Sequence, residues 1–475
     1  MGVNSLKPKR KLLFVFSILL VFATNCTKAP IPNVENAAFN EVKMVESKNL
    51  NIDLYIDATP SMSGFAAKEI TSTYVNVIED ISSLSTSISG TLGKVRFNSF
   101  GENITEITQQ QYSGSVREEF YKNSNNRKTM VSTVLEEITN NYTEAQNNSV
   151  IGHLSVVITD LFEDNSNMVP IINNIKNNFM TDNMSIGVLG IRSYFKGKVY
   201  DIGRDKSGRG YESTVNDFST YRPFYILLIG NTADVENYYK NLSTKYNIKD
   251  VVEECKYFEM FSSKVIIKPG TIEKTEIIKD IKGKKPLIKE DDEWIRKFND
   301  GMSTAIKAFV GGVPENERKN ESLISYFDLH LIPGTRLEYA IKSGSNIYNG
   351  DIKAIFIPDV IVERYNGKEY LKDKLTQEFV KLDDLSIKDE KLVSKINIYP
   401  YNLKEGYYRI RLNVGYNYDY LTPVIPSDWN MKDENDPAFG SKTIYLYNVL
   451  EGFYGLANKS KDSLINSCYY FRVIK

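Results

Sequence analysis

Apolar positions in the first half of the chain alternate between two periods. Ile52 to Ile56 reads as a short buried strand, after which Ala67, Ile70, Tyr74, Val77, Ile78, Ile81 and Leu84 recur at helical spacing. Val95 to Phe100 returns to strand character. Met130, Val134, Leu135 and Ile138 mark a second helix, and Leu154 to Thr159 a strand apolar enough to be buried on both faces. The succession continues with a helix over Met168, Val169, Ile172, Ile175 and Phe179, then strands over Ile186 to Ile191 and Phe224 to Ile229. A further helix carries Val235, Tyr238, Tyr239 and Leu242, with Thr232 as its N-cap. Strands alternating with amphipathic helices predict an α/β fold, a doubly wound and mostly parallel sheet over residues 49–250.

The pattern then changes. Tyr257 to Phe261 and Lys264 to Lys268 read as strands, Lys282 to Asp292 is a charged surface stretch, and Trp294, Ile295, Phe298, Met302, Ile306 and Phe309 have helical spacing. Residues 251–320 are therefore expected to be a partly helical connector. From Ser325 onward, aromatic-rich runs alternate polar and apolar residues: Tyr326 to Ile332, Ile352 to Ile357, Ile361 to Tyr365, Ile396 to Tyr401, Tyr407 to Tyr416, Thr443 to Tyr447 and Tyr469 to Ile474. These predict an all-β, sandwich-like C-terminal domain over 321–475, with the tyrosines packing its faces.

A chain of 475 residues supports two or three such units. Its formal net charge is −1, without a basic block beyond the N-terminus, so no nucleic-acid partner is expected. Only His153 and His330 are available as imidazoles, which counts against most zinc hydrolases and most histidine general bases. His153 precedes an apolar strand and His330 sits within one, so both are expected to be structural. No P-loop, dinucleotide fingerprint or nucleophile elbow occurs.

Residues 1–25 read as a targeting segment. Lys7, Lys9, Arg10 and Lys11 precede an apolar run from Leu12 to Ala23, shorter than the ~20 residues that span a bilayer. Cys26 follows after Thr24 and Asn25, ahead of polar residues, and this order resembles a bacterial lipoprotein signal peptide. The resemblance implies lipidation at Cys26 and an exported chain anchored to the cell membrane or outer membrane. Residues 26–48, with Pro30 and Pro32, would then be a tether. Loss of the basic leader leaves the remainder mildly acidic, and Cys255 and Cys468 are read as buried thiols rather than a disulfide framework.

Open α/β sheets carry their sites at the carboxyl ends of the strands. Polar residues gather at three such places: Asp57-Ala-Thr59-Pro-Ser61 after the first strand, Thr129 before a helix, and Asp160 closing the strand that ends in Thr159. Together they offer only hard oxygen donors, which suits Mg²⁺ or Mn²⁺. The set resembles the metal-ion-dependent adhesion site of von Willebrand factor A domains. Asp57, Thr59 and Ser61 match the Asp-x-Ser-x-Ser signature with Thr for the first Ser, Thr129 the threonine of a later loop, and Asp160 the closing aspartate. Pro60 and Lys128 depart from the glycines common in the family and imply stiffer loops.

The resemblance implies a binding or adhesion protein, not an enzyme, whose metal engages an Asp or Glu carboxylate on a protein partner. Glu163 and Asp164 are the near candidates for a general base and read as a solvated pair. The segment from Arg192 to Arg222 is long for a connection, and Tyr194 to Tyr200 is expected to form a hairpin beside the site. Two other functions fit the same residues: an extracytoplasmic hydrolase with Thr59 or Ser61 as nucleophile, or an envelope scaffold that works without metal.

Overall fold

The computed structural model describes residues 46–68, 72–145, 151–161, 184–200, 208–262, 268–278, 288–290, 303–309, 321–330, 333–343, 356–388, 391–416, 424–433, 435–457 and 465–475. Cys26, Glu163, Asp164, the leader, nearly all of the expected tether and the helix expected over Met168 to Phe179 lie outside them.

The first nine strands are β1 (Leu50–Asp57), β2 (Val95–Phe100), β3 (Ile104–Ile107), β4 (Gly152–Thr159), β5 (Met184–Ser193), β6 (Lys196–Val199), β7 (Arg209–Glu212), β8 (Arg222–Asn231) and β9 (Lys256–Ser262). Seven of them form one sheet in the order β3-β2-β1-β4-β8-β5-β9. β1 pairs in parallel with β2 and β4. β8 enters antiparallel between β4 and β5, while β3 and β9 run antiparallel at the two edges. The fold is α/β, but the sheet is mixed rather than mostly parallel. The cause is the connection after β5: it spends its length on the β6–β7 hairpin instead of crossing a face, so the chain re-enters beside β5 in the opposite direction.

Alternation along the strands loads both faces. Ile52, Leu54 and Ile56 point into one core with Leu154, Val156 and Ile158, against helices α1 (Thr73–Ile88) and α3 (Thr232–Lys245). Tyr55, Val157, Tyr225 and Leu227 point into a second core against α2 (Val131–Ala145). Helix α1 begins after Ser72, whose hydroxyl accepts from Val75 N at 3.4 Å, later than the pattern from Ala67 predicts. Before it, Pro60–Ala66 forms a 3₁₀ turn with proline at its start. Helix α3 is capped by Asn231, which accepts from Ala233 N at 3.0 Å, so the cap falls one residue before Thr232.

The remaining strands are β10 (Lys268–Ile278), β11 (Ile288–Glu290), β12 (Ser303–Phe309), β13 (Glu321–His330), β14 (Phe356–Tyr365), β15 (Tyr370–Lys372), β16 (Val380–Lys388), β17 (Lys391–Ile398), β18 (Gly406–Tyr416), β19 (Asn430–Met431), β20 (Thr443–Ile444) and β21 (Ile465–Ile474). A four-stranded antiparallel sheet (β10-β13-β17-β16) and a six-stranded mixed sheet (β11-β12-β21-β18-β14-β15) share a third core around Phe327, Ile396, Ile410 and Phe471. Ile306 and Phe309, expected on a connector helix, lie on β12, paired in parallel with β21. That long-range pairing, which buries Ile306 and Ala308, overrides a helical spacing.

This half is β-rich rather than all-β. It contains helices α4 (Arg336–Ser343) and α5 (Leu446–Ala457), the latter over part of a run expected as strand. Ile425, Trp429, Leu446, Val449, Leu450 and Phe453 leave the β-rich core and complete the second face of the first sheet. Trp429 meets Tyr257 edge-on at 5.3 Å, and the Arg192 guanidinium lies 4.8 Å from the Trp429 ring centre. Nearby, Arg336 Nε contacts Glu259 Oε1 at 2.5 Å and Nη2 contacts Glu451 at 3.1 Å, with both Arg336 and Glu259 buried. Glu259 also accepts from Val424 N at 3.2 Å. Burial pushes the Glu259 carboxyl above its ordinary range and Arg336 pulls it back. Two ion pairs made by Arg336 of α4 therefore link β9 to α4 and α4 to α5.

Truncating this contact gives a direct check. Trp429→Ala is expected to cost about 3–5 kcal/mol of unfolding free energy by denaturant titration. Hydrogen exchange should accelerate in Met184–Ser193 and Lys256–Ser262; unchanged protection there would refute the docking.

Candidate functional site

β1 and β4 lie side by side, with Ile56 opposite Ile158, so their carboxyl ends deliver Asp57 and the Thr159-Asp160 pair to one place. Asp57, Thr59, Ser61, Thr129, Thr159 and Asp160 are all at least nine-tenths buried. The turn after β1 folds back on itself. Thr59 donates to Asp57 Oδ1 through its backbone N at 3.0 Å and through its hydroxyl at 2.7 Å. Thr59 Oγ1 also lies 3.0 Å from Ser61 Oγ and 2.9 Å from Thr129 Oγ1. Thr129 and Thr159 approach Asp57 Oδ2 at 3.2 and 3.0 Å.

Thr129 is held at the start of α2 by close packing of the strand behind it. A Cβ on Gly101, just past β2, would meet Asn126 Cβ at 2.4 Å and the Lys128 carbonyl at 3.0 Å, so only glycine lets this loop approach. Asp160 is placed by a strained turn. Leu161, the residue after it, has φ 59°, and its N–H donates to Thr159 Oγ1 at 3.1 Å. A leucine in the left-handed region costs about 1 kcal/mol or more, and here the Thr159 hydroxyl bridges that turn to Asp57.

All five residues expected at the site lie together, with Asp160 close enough to Asp57 for its charge to raise the latter's pKa. Two participants escaped the pattern. Thr159 was visible only as the neighbour of Asp160; its alternation on a doubly buried strand gave no sign that it faces Asp57. Arg222 Nη2 stands 3.5 Å from Asp160 Oδ2, and both side chains are buried. Arg222 opens β8, and only the antiparallel direction of that strand brings its first residues to the end of β4. The segment Tyr194 to Tyr200, expected to form a hairpin by itself, supplies only one strand, β6, which pairs with β7 at Arg209–Glu212, and it packs on the Pro60–Ala66 turn. A Cβ on Gly64 would fall 2.5 Å from the Phe195 ring.

His153 is structural, its Nε2 3.0 Å from Asp53 Oδ2. Asp53 also receives Arg96 at 2.5 and 2.6 Å. Burial raises the Asp53 carboxyl, but His153 and Arg96 together hold it below its ordinary value. Cys255 and Cys468 are buried and not joined to each other, and burial pushes the Cys255 thiol up to about 11.

The electrostatics of the cluster centre on Asp57. Burial first, and the Asp160 charge second, push its carboxyl up to about 7, against hydrogen bonds from Thr59 and Thr159. Proton counting points the same way. The hydroxyl protons of Thr59, Ser61 and Thr129 must serve contacts from Thr59 to Asp57, Ser61 and Thr129 and from Thr129 to Asp57, one more contact than there are protons. A proton on Asp57 or a cation amid the oxygens resolves the shortfall.

A divalent ion fits this donor set. Neighbouring oxygens around an octahedral ion with bonds of ~2.1 Å are about 3.0 Å apart, close to the Thr59 spacings to Ser61 and Thr129. The same spacings serve hydrogen bonds without metal. Among the described residues no three His, Cys, Asp or Glu side chains form a metal cluster.

The fold and site define a class: an α/β protein with β-rich parts that carries a buried hydroxyl and carboxylate cluster where two parallel strands end. No family model, curated protein or solved structure matches the chain.

Asp57 sets a pH dependence. The folded protein keeps its proton to about 7, whereas an unfolded aspartate releases it near 4, so the folded state binds more protons between these values and loses stability as pH rises through them. In chelator the thermal midpoint is expected to fall from pH 5 to pH 8, and to fall less in Asp57→Asn. Equal slopes for the two proteins would remove Asp57 as the cause.

Proposed function

We propose that the chain is an exported, lipid-anchored binding protein of the von Willebrand factor A kind, whose Mg²⁺ or Mn²⁺ site engages an acidic side chain on a protein partner. The observation that carries this reading is the convergence of Asp57, Thr59, Ser61, Thr129 and Asp160 at the ends of two adjacent parallel strands. Thr59, Ser61 and Thr129 would hold the ion through neutral hydroxyls, with the two carboxylates close by. A metal so held stays electron-poor and favours an anionic ligand, which supplies adhesion rather than turnover. The strands after 321 form a sandwich-like second unit in this reading, apart from the residues of 425–453 that return to the first sheet, and lipid on Cys26 holds the protein at the membrane.

The Arg222–Asp160 contact favours a second reading, an envelope scaffold in which Arg222 takes the place of a metal altogether. Calorimetry separates the two. The full chain is expected to bind Mn²⁺ with a Kd in the micromolar to millimolar range. Asp57→Ala should lose at least about tenfold, since it removes a site carboxylate. Capture of envelope proteins by the parent should fail in chelator and in Asp57→Ala. Partners retained equally by all three forms would sink the adhesion reading. Separately, Cys26→Ser is expected to abolish labelling by a radioactive lipid precursor in cells; persistent labelling would refute the anchor.

A further inference from the structure

A cavity of about 240 Å³ shares no residue with the Asp57 cluster but opens on the same edge of the first sheet. β5 and β4 both run antiparallel to β8, so Arg192, near the end of β5, reaches the edge where Asp160 lies. Arg192 and Cys255 form the floor of the cavity, 7% and 2% exposed, while Phe218 and Val252 stand at its rim, 38% and 39% exposed. The floor holds unspent donors. Arg192 Nη2 reaches the Asp428 carboxylate at 3.2 Å and the Asp428 carbonyl at 3.4 Å, and the guanidinium rests on the Trp429 ring. Among the described residues its hydrogen bonds all pass through Nη2, so Nε and Nη1 have no acceptor, although buried polar groups normally find one. The cavity also meets the start of α1 at Thr73 and Asn76, and the first turn of that helix carries no acidic residue. A guanidinium and a helix N-terminus thus give one enclosed space a positive potential from two independent sources.

We infer that this cavity binds a small monocarboxylate with an apolar body, its carboxylate held by Arg192 and the start of α1. The body would lie against Phe218 and Tyr221, whose rings meet edge-on at 5.3 Å, and against Val252. The volume falls below the ~300–1,000 Å³ of sites for drug-sized ligands, which limits the occupant to one ring or a short branched chain and excludes a nucleotide. Asp250 at the exposed rim, and Asp428 already on Arg192, oppose a second negative charge, so dianions are disfavoured. This site is independent of the metal reading, since none of its residues contributes to the Asp57 cluster.

The test is calorimetry on the full chain in chelator, with benzoate as the probe. Benzamide serves as the same shape without charge, and inorganic phosphate as charge without an apolar body. The parent is expected to bind benzoate in the micromolar to millimolar range, at least about tenfold tighter than either control, and Arg192→Gln to lose about tenfold. Position is read separately: labelling of Cys255 by a small thiol reagent should slow about tenfold with benzoate at about ten times its Kd, while labelling of Cys468 stays unchanged. No benzoate binding by the parent, or equal affinity in parent and Arg192→Gln, would overturn the inference. Benzamide or phosphate binding as tightly as benzoate would overturn the assignment of the ligand. If Arg192→Gln does not fold, the parent decides: protection of Cys255 by benzoate supports the site, and labelling at an undiminished rate overturns it.

Discussion

Two carboxylates buried next to each other at the ends of β1 and β4 are the constraint around which this half of the molecule is arranged. Ionised together without compensation they would oppose the packing that buries them. The fold meets that demand with nearby hydroxyls on Asp57, the Leu161 turn that lets Thr159 serve both strand ends, and a guanidinium on Asp160. Each device comes from a different segment: Thr59 at the entry to the Pro60–Ala66 turn, the start of α2, the end of β4 and the start of β8. Their common focus explains why the β6–β7 hairpin must fit so closely over the turn that carries Ser61.

A second buried charge contact organises the seam between the halves. Arg336 joins Glu259 on β9 and Glu451 on α5, and its guanidinium carbon lies 3.7 Å from the centre of the Tyr454 ring. Such a pair contributes little net stability over an apolar replacement, but its geometry accepts few alternatives. It fixes where the later helices sit against the sheet, and the apolar contacts of Trp429, Leu450 and Phe453 supply the free energy.

Much of the first half could be read from periodicity because its strands are buried on both faces and its helices on one. Strands such as Leu154 to Thr159 carry only small hydroxyl residues, Ser155 and Thr159, in an otherwise apolar run. The Asp57, Thr59, Ser61 string, with Thr129 and Asp160, was legible because strand ends place polar residues predictably. What escaped depends on pairing between distant segments. The direction of β8, and with it the position of Arg222, follows from how the preceding connection is spent, which local pattern does not encode. Ile306 on β12 and Leu446 on α5 were misread for the same reason: spacing offers a helix or a strand, and the partner chooses. Thr443 to Tyr447 alternates well, yet only its first two residues pair as a strand, with Asn430 and Met431.

The return of residues 425–453 to the first sheet has a consequence for how the molecule is made. Every strand of that sheet emerges from the ribosome by residue 262, but the side chains that cover part of one face follow more than 150 residues later. During that interval Tyr225, Phe261 and their neighbours present an unfinished apolar surface. Closing it means ordering a very long loop, which raises contact order and slows the final step. The first half is thus a nascent intermediate rather than an autonomous module, and its exposed face is where premature association with other chains would begin.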